Sequence, residues 1–279
     1  MRIAMVGLGV MGGSLARAFG GAGTRDAGAP ASVVGWAADA SDRAAATTDG
    51  VTIGDGLADT LGGADTVVLA TPLSTLPELA ATVVGSAPAS ALVMDVASLQ
   101  APALAAARGA SLADRWVSAH PMVGSERTGF GASRGDLYEG AAVFLSADEA
   151  VSPEVRDAAA RFWTRLGARP EWVDPDDHDD RMATVSHLPQ MVATALADTI
   201  AASGLPVDAL GPGGRDTTRL AASSVAMWRD LFDHARPALV ADLRALARRL
   251  EEDASALEQG ETEIPLDRLA RAGVWRRDR

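Results

Sequence analysis

Short, mainly apolar runs punctuate the first half of the chain. Ile3 to Val6, Val33 to Trp36, Thr66 to Ala70, Leu92 to Asp95, Trp116 to Ala119 and Ala142 to Ser146 are separated by alanine-rich stretches with helical spacing. Continuous apolar character predicts strands buried on both faces, and regular alternation with helices predicts a parallel sheet with crossover connections. From Ser152-Pro153-Glu154, a helix start with proline in its first turn, the pattern turns mainly helical, broken by one extended run at Glu171-Trp172-Val173. Over Asp180 to Ala202 and Thr217 to Leu257, apolar residues recur every three or four positions across lengths too great for strands. The expected organisation is an α/β domain over residues 1–149 followed by an all-helical domain over 150–279. The alanine-rich helical faces suit either pairing with a second subunit or a private bundle.

Composition narrows the function classes. The 279 residues include 25 basic side chains, all of them arginine, and the net charge is −12. Nucleic acid and anionic membranes need clustered basic groups, so neither is an expected partner; an anionic small molecule still is, because one or two local arginines can dominate a site. The chain contains no cysteine, which removes disulfides, thiol catalysis and zinc–thiolate sites. The start runs directly into the first strand, and no apolar run reaches the ~18 to 20 residues of a membrane span. A cytoplasmic location is expected.

Chemistry enters at Gly7-Leu8-Gly9-Val10-Met11-Gly12, which follows the first strand at once and opens a helix over Ser14 to Phe19. Gly7 permits the tight turn, Gly9 lets backbone approach a pyrophosphate, and Gly12 allows close helix packing. In this βαβ context the motif predicts a Rossmann-type dinucleotide site; alone it would be only a tight turn. The second strand ends Val34-Gly35-Trp36-Ala37-Ala38-Asp39. An acid that receives the adenosine ribose is expected near Ala37 and is missing. Asp39 can reach the ribose from two positions on, or Arg43 can partner a 2′-phosphate, so NAD and NADP both remain, with NAD favoured. Thr71 and Pro72, ending the third of these strands, are candidate cleft residues or a simple turn.

Two further strand ends carry polar groups. Asp95-Val96-Ala97-Ser98 and Ser118-Ala119-His120-Pro121 both reach the carboxyl edge, where open α/β sheets bind ligands. His120 there is either a general base or a histidine set in a turn, and Ser98 a group that orients it. Downstream, Ser186-His187-Leu188-Pro189-Gln190 places a proline inside a helical pattern, which requires a helix start or a kink. Arg219 follows the turn Gly211-Pro212-Gly213-Gly214 and is suited to a bidentate grip on a carboxylate, though on the residues alone a surface ion pair is the favoured reading. The acidic run Asp176-Asp177-His178-Asp179-Asp180 reads as helix capping and dipole compensation, and no metal is expected.

Five segments in order, GLGVMGGSLA, DVASLQ, HPMVGSERTGFGASRGDLYEGA, HDDRMATVSHLPQ and GGRDTTRLAASSVAMWRD, resemble the prephenate and arogenate dehydrogenase family of tyrosine biosynthesis over nearly the whole chain. The resemblance implies a Rossmann domain, a helical domain that forms a homodimer, and an active site in the cleft between them. It further implies that His120 is the catalytic histidine bonding the substrate ring hydroxyl, that Ser98 assists it, and that Arg219 holds a substrate carboxylate. His187 and Trp228 would line the substrate pocket, Trp228 from the partner subunit.

Two departures bear on specificity. Ala37 replaces the ribose acid, and Gln190 stands where many members have a second histidine in SHLPH. A neutral Gln190 offers nothing to the ammonium of arogenate, which favours prephenate; an arogenate-using or dual-specificity cyclohexadienyl dehydrogenase is the alternative. A further regulatory or chorismate mutase domain is not expected. A 3-hydroxy-acid dehydrogenase would need a catalytic lysine, and the chain has none. A non-catalytic dinucleotide sensor would need no convergence of His120, Ser98 and Arg219.

Overall fold

A computed structural model describes residues 1–20, 31–124 and 127–277. Ser125 and Glu126 of the histidine segment, and Asp278 and Arg279 of the tail, lie outside the described residues. Contacts divide the chain into two units, Met1–Asp179 with Ala222–His234, and Asp180–Ala221 with Ala235–Arg279.

The first unit runs β1 (Arg2–Val6), α1 (Val10–Gly20), β2 (Ser32–Trp36), α2 (Ala40–Thr48), β3 (Thr52–Ile53), α3 (Leu57–Leu61), β4 (Thr66–Leu69), α4 (Leu76–Ser86), β5 (Leu92–Asp95), α5 (Gln100–Gly109), β6 (Trp116–Pro121), β7 (Ala142–Ala147), α6 (Pro153–Thr164) and β8 (Arg169–Trp172). It enters α7 (Pro175–Met182). The strands form one sheet in the order β3-β2-β1-β4-β5-β6-β7-β8. All pairs are parallel except β6 with β7, where His120 lies opposite Phe144.

Burial on both faces explains the continuous apolar runs. Ile3 and Met5 enter one core with Leu15 and Phe19 of α1 and Phe162 and Trp163 of α6. Ala4 and Val6, pointing the other way, enter a second core with Leu76 and Ala80 of α4 and Leu104 of α5. Successive side chains of one strand thus build opposite layers. Three features depart from the sequence reading. Strand β3, only two residues long, carries too little pattern to be seen. The β6–β7 connection holds only a 3₁₀ turn, Phe130–Ala132, among its described residues; with no crossover helix, the chain returns antiparallel. The expected boundary after residue 149 falls inside the first unit, because β8 pairs with β7 and α6 fills the sheet's core.

The second unit takes up a π turn (Ala183–His187), α8 (Leu188–Ala202) and α9 (Pro212–Thr218), then a 3₁₀ turn (Arg219–Ala222). The next helix, α10 (Val225–Asp233), belongs to the first unit, and α11 (Pro237–Glu258) and α12 (Glu263–Arg277) to the second. Pro189 has no N–H to give, and its ring crowds the carbonyl four residues back; the π turn just before it absorbs both effects. Leu250, Leu257, Leu266, Leu269 and Trp275 of α11 and α12 are exposed. Among the described residues no helix is long and apolar enough to cross a membrane.

At the end of β5 the fully buried Asp95 accepts hydrogen bonds from Trp116 Nε1 at 2.7 Å, Ala97 N–H at 2.9 Å and Ser118 Oγ at 3.0 Å. Burial pushes its carboxyl from an ordinary 3.8 up to about 7, against the pull of those bonds. Between these values the folded protein binds more protons than the unfolded chain, so stability falls as pH rises through the window. Subtracting the unfolding free energy of Asp95→Asn from that of the native protein should therefore give a difference that declines from about pH 4 to about pH 7 and then levels. A flat difference contradicts the assignment.

Candidate active site

The carboxyl ends of the parallel strands β1, β4, β5 and β6 share one edge of the sheet, and the chain places a polar or glycine-rich segment at each. After β1, Gly7 adopts a φ of +93° and donates its N–H to the Trp36 carbonyl at 2.8 Å. A Cβ on Gly7 would lie 2.2 Å from the Ala70 carbonyl oxygen, and one on Gly12 only 1.9 Å from the Gly7 carbonyl oxygen. These two glycines are demanded by the protein's own backbone. Gly9 is different, because a Cβ there would meet no atom within 4 Å. Open space at Gly9, beside the first-turn N–H groups of α1, fits a pyrophosphate.

Other residues brace this loop. The Leu8 side chain is fully buried, so only its backbone faces the loop, whereas Val10 and Met11 are half-buried. Tyr138 donates its hydroxyl to the Met11 carbonyl at 2.8 Å, and burial pushes its phenol above the ordinary value, which keeps it a donor. Thr71, half-buried after β4, pairs with Thr75 through a 2.8 Å hydroxyl contact, next to the exposed Pro72.

At the end of β2, Ala37 is buried and Asp39 caps α2. Asp39 Oδ1 accepts from Ser41 Oγ at 2.6 Å, Ser41 N–H at 2.7 Å and Asp42 N–H at 3.3 Å. The Ser41 hydroxyl first, then the two backbone groups, hold its carboxyl below the ordinary value. Arg43 Nη1 donates to the carbonyls of Ala37 and, at 2.9 Å, Ala38.

Ser98 follows β5 and is half-buried; His120, also half-buried, is the penultimate residue of β6. His120 Nδ1 lies 2.9 Å from Nε2 of His178, whose Nδ1 lies 2.8 Å from Asp179 Oδ1. His178 and Asp179 are both buried. Asp179 also accepts the backbone N–H of Gln100 at 2.8 Å and of Ala101 at 2.9 Å, the first two residues of α5. The helix that contains the acidic run is capped by Asp174, just before the run, which accepts from Asp176 and Asp177 N–H, whereas Asp179 within the run caps a different helix, α5. A histidine in the middle of four aspartates is the sequence signal that was available.

Trp228, on α10 in the first unit, is half-buried and packs on Phe232 with ring centroids 5.5 Å apart. The helix is pinned by Asp230, which accepts from Ser74 N–H at 3.1 Å and Ser74 Oγ at 3.0 Å. Arg219, His187 and Gln190 belong to the second unit. His187 ends the π turn and is buried. Arg219 is exposed at the start of its 3₁₀ turn. Gln190 is buried, and its Nε2 donates to the Leu220 carbonyl at 2.8 Å, supporting the turn that carries Arg219.

What the sheet edge can do chemically is bind a dinucleotide after one strand and accept a proton at the end of another, which defines a nicotinamide-dependent dehydrogenase of the Rossmann class. A family model described as the prephenate dehydrogenase nucleotide-binding domain matches residues 21–171, and one described as the prephenate dehydrogenase dimerization domain matches residues 174–271. The chain belongs to the prephenate dehydrogenase family.

Individual relatives agree. The chain is 28% identical over 259 residues to a cyclohexadienyl dehydrogenase of Zymomonas mobilis, covering 88% of this chain and 86% of that one. It is 29% identical over 153 residues to a prephenate dehydrogenase of Bacillus subtilis, covering 53% and 41% of the two chains. A crystal structure of the prephenate dehydrogenase from Aquifex aeolicus, in complex with hydroxyphenyl propionate and NAD+, superposes with a TM-score of 0.87 at 26% identity, covering 99% and 97%. The exposed apolar side chains of α11 and α12 accord with a dimerisation domain.

The two kinds of glycine make a paired prediction. Gly9→Val should leave the thermal midpoint nearly unchanged and weaken dinucleotide binding at least about tenfold, because its side chain enters open space that a ligand needs. Gly12→Ala should cost about 1 to 3 kcal/mol of stability by overpacking. Denaturation curves beside cofactor titration separate the two, and equal cofactor affinity in folded Gly9→Val would remove the pyrophosphate assignment.

Proposed function

We propose that the protein is a cytoplasmic homodimeric enzyme that converts prephenate to 4-hydroxyphenylpyruvate and carbon dioxide, with NAD as hydride acceptor. The observation that carries this reading is His120, held at the same sheet edge as the glycine cradle. The cradle residues Gly7 to Gly12 would hold the pyrophosphate, with Asp39, Thr71 and Pro72 beside the rest of the dinucleotide. NAD is favoured because Asp39 brings a carboxylate that suits ribose hydroxyls and repels a 2′-phosphate, while Arg43 is engaged by the Ala37 and Ala38 carbonyls.

Held by the glycine cradle, a nicotinamide would supply the hydride acceptor for the ring carbon that bears the hydroxyl. His120 takes the hydroxyl proton as carbonyl character develops at that carbon, so its interaction strengthens toward the transition state. Ser98 orients the hydroxyl. The C–C bond to the ring carboxylate then breaks, its electron pair enters the ring, carbon dioxide leaves, and the phenol oxygen recovers a proton from His120. Arg219 holds a carboxylate as an ion pair, with His187 and Trp228 lining the substrate and Gln190 bracing Arg219. Gln190 is neutral and would offer the ammonium of arogenate no counter-charge.

An assay crossing prephenate and arogenate with NAD and NADP tests substrate and cofactor together, with the prephenate and NAD pair expected to be fastest. His120→Asn should lower turnover by ~10² to 10⁴ with little change in KM. Arg219→Lys should raise the KM for prephenate, and Arg219→Ala should raise it further, by roughly 2 kcal/mol of binding, with cofactor affinity held constant. An unchanged KM in Arg219→Ala would return that arginine to the protein surface.

A further inference from the structure

We infer that His178 and Asp179 are positioning residues that set the tautomer of His120, an inference that rests on His120 being the proton acceptor. The argument starts from Asp179, which is fully buried. Oδ1 accepts the N–H of Gln100 and Oδ2 that of Ala101, and both groups can only donate. Their place in the first turn of α5 adds the positive end of a helix dipole, so the group is held as a carboxylate. A carboxylate cannot donate, so His178 Nδ1, 2.8 Å away, carries a proton and gives it to Asp179. Neutral His178 then has a bare Nε2, which can only accept.

The next contact follows by the same logic. His120 Nδ1, 2.9 Å from that Nε2, must be the donor. Neutral His120 is therefore the Nδ1–H tautomer, and its Nε2 is the nitrogen with a lone pair for the substrate proton. As His120 gains that proton, its Nδ1–H bond to His178 shortens the reach of the new charge to the Asp179 carboxylate, without any further proton leaving the ring. Packing fixes the geometry, since the His178 ring stands edge-on to His120, centroids 5.1 Å apart, and to Phe144 at 5.5 Å. The chain lies within one unit, running from the start of α5 through α7 to the end of β6.

The test compares His178→Phe, which keeps ring shape but accepts nothing, with His178→Gln, which can donate to Asp179 and accept from His120. Both leave the two backbone bonds of Asp179 in place. Turnover of the dimeric enzyme with prephenate should fall about 10- to 1000-fold in His178→Phe, with KM and cofactor affinity within about twofold, and His178→Gln should recover most of it. Imidazole ¹⁵N spectra of the four histidines should show His120 as Nδ1–H in the native protein and moved toward Nε2–H in His178→Phe. Asp179→Asn should act in the same direction where it folds.

Native turnover in folded His178→Phe, a Gln variant no better than the Phe variant, or an unmoved His120 tautomer would each overturn the relay while leaving His120 as base. Full turnover in His120→Asn would overturn the reading of the site, and the relay with it.

Discussion

A carboxylate shut away from water must find all its partners inside the protein, and the arrangement of the first unit follows from how Asp179 does so. Residue Leu99, at the N-cap of α5, has no side chain able to cap it. The first N–H groups of that helix are instead met by Asp179, which lies 79 positions from Gln100 in the chain. Capping, helix dipole and the His178 N–H together offset the cost of burying the charge. Because α5 follows β5 and Asp179 follows β8, one charge ties the middle of the sheet to its edge. Gln100 reinforces this tie by donating Nε2 to the Phe144 carbonyl of β7 at 2.8 Å.

The same economy governs the dinucleotide end of the edge. Backbone there is fixed by atoms that admit no Cβ at Gly7 or Gly12, by the Tyr138 hydroxyl on Met11, and by Ser14, whose Oγ donates to Val10 at 2.6 Å and accepts from Arg134 N–H at 3.0 Å. None of these contacts uses the space at Gly9. A cradle held from behind needs no reorganisation when an anion arrives.

Much of this was legible in the sequence because it depends on local pattern. Ile3 to Val6 reads as a doubly buried strand since every residue is apolar, and the glycine motif reads as a cradle since it stands between that strand and a helix. Features set by distant partners were not legible. The direction of β7 depends on a connection whose described residues hold no crossover helix, and the place of β8 depends on pairing with β7 rather than on its own half-polar residues. His178 and Asp179 were hidden by their neighbours: Asp174, Asp176 and Asp177 do what surface acids at a helix start do, and composition alone cannot show that the next turn faces inward. Gln190 read as a substrate residue from its motif, and the bond its Nε2 gives to the Leu220 carbonyl was not visible there.

The proposed base, His120, and the proposed anionic anchor, Arg219, ask for different support, and the chain supplies each differently. A histidine must present one nitrogen bare, so its ring and its tautomer both have to be fixed; buried hydrogen bonds of defined polarity do this, and solvent would not. An arginine carries its charge at any pH of interest and presents donors along several directions, so a braced turn is sufficient, and Arg219 remains exposed on one. Exposure also bears on how a chain of net charge −12 would attract an anion to the proposed anchor. Charges farther apart than the Debye length, about 8 Å at physiological ionic strength, are largely screened in solvent, so a carboxylate near Arg219 responds to that guanidinium and not to the protein's total.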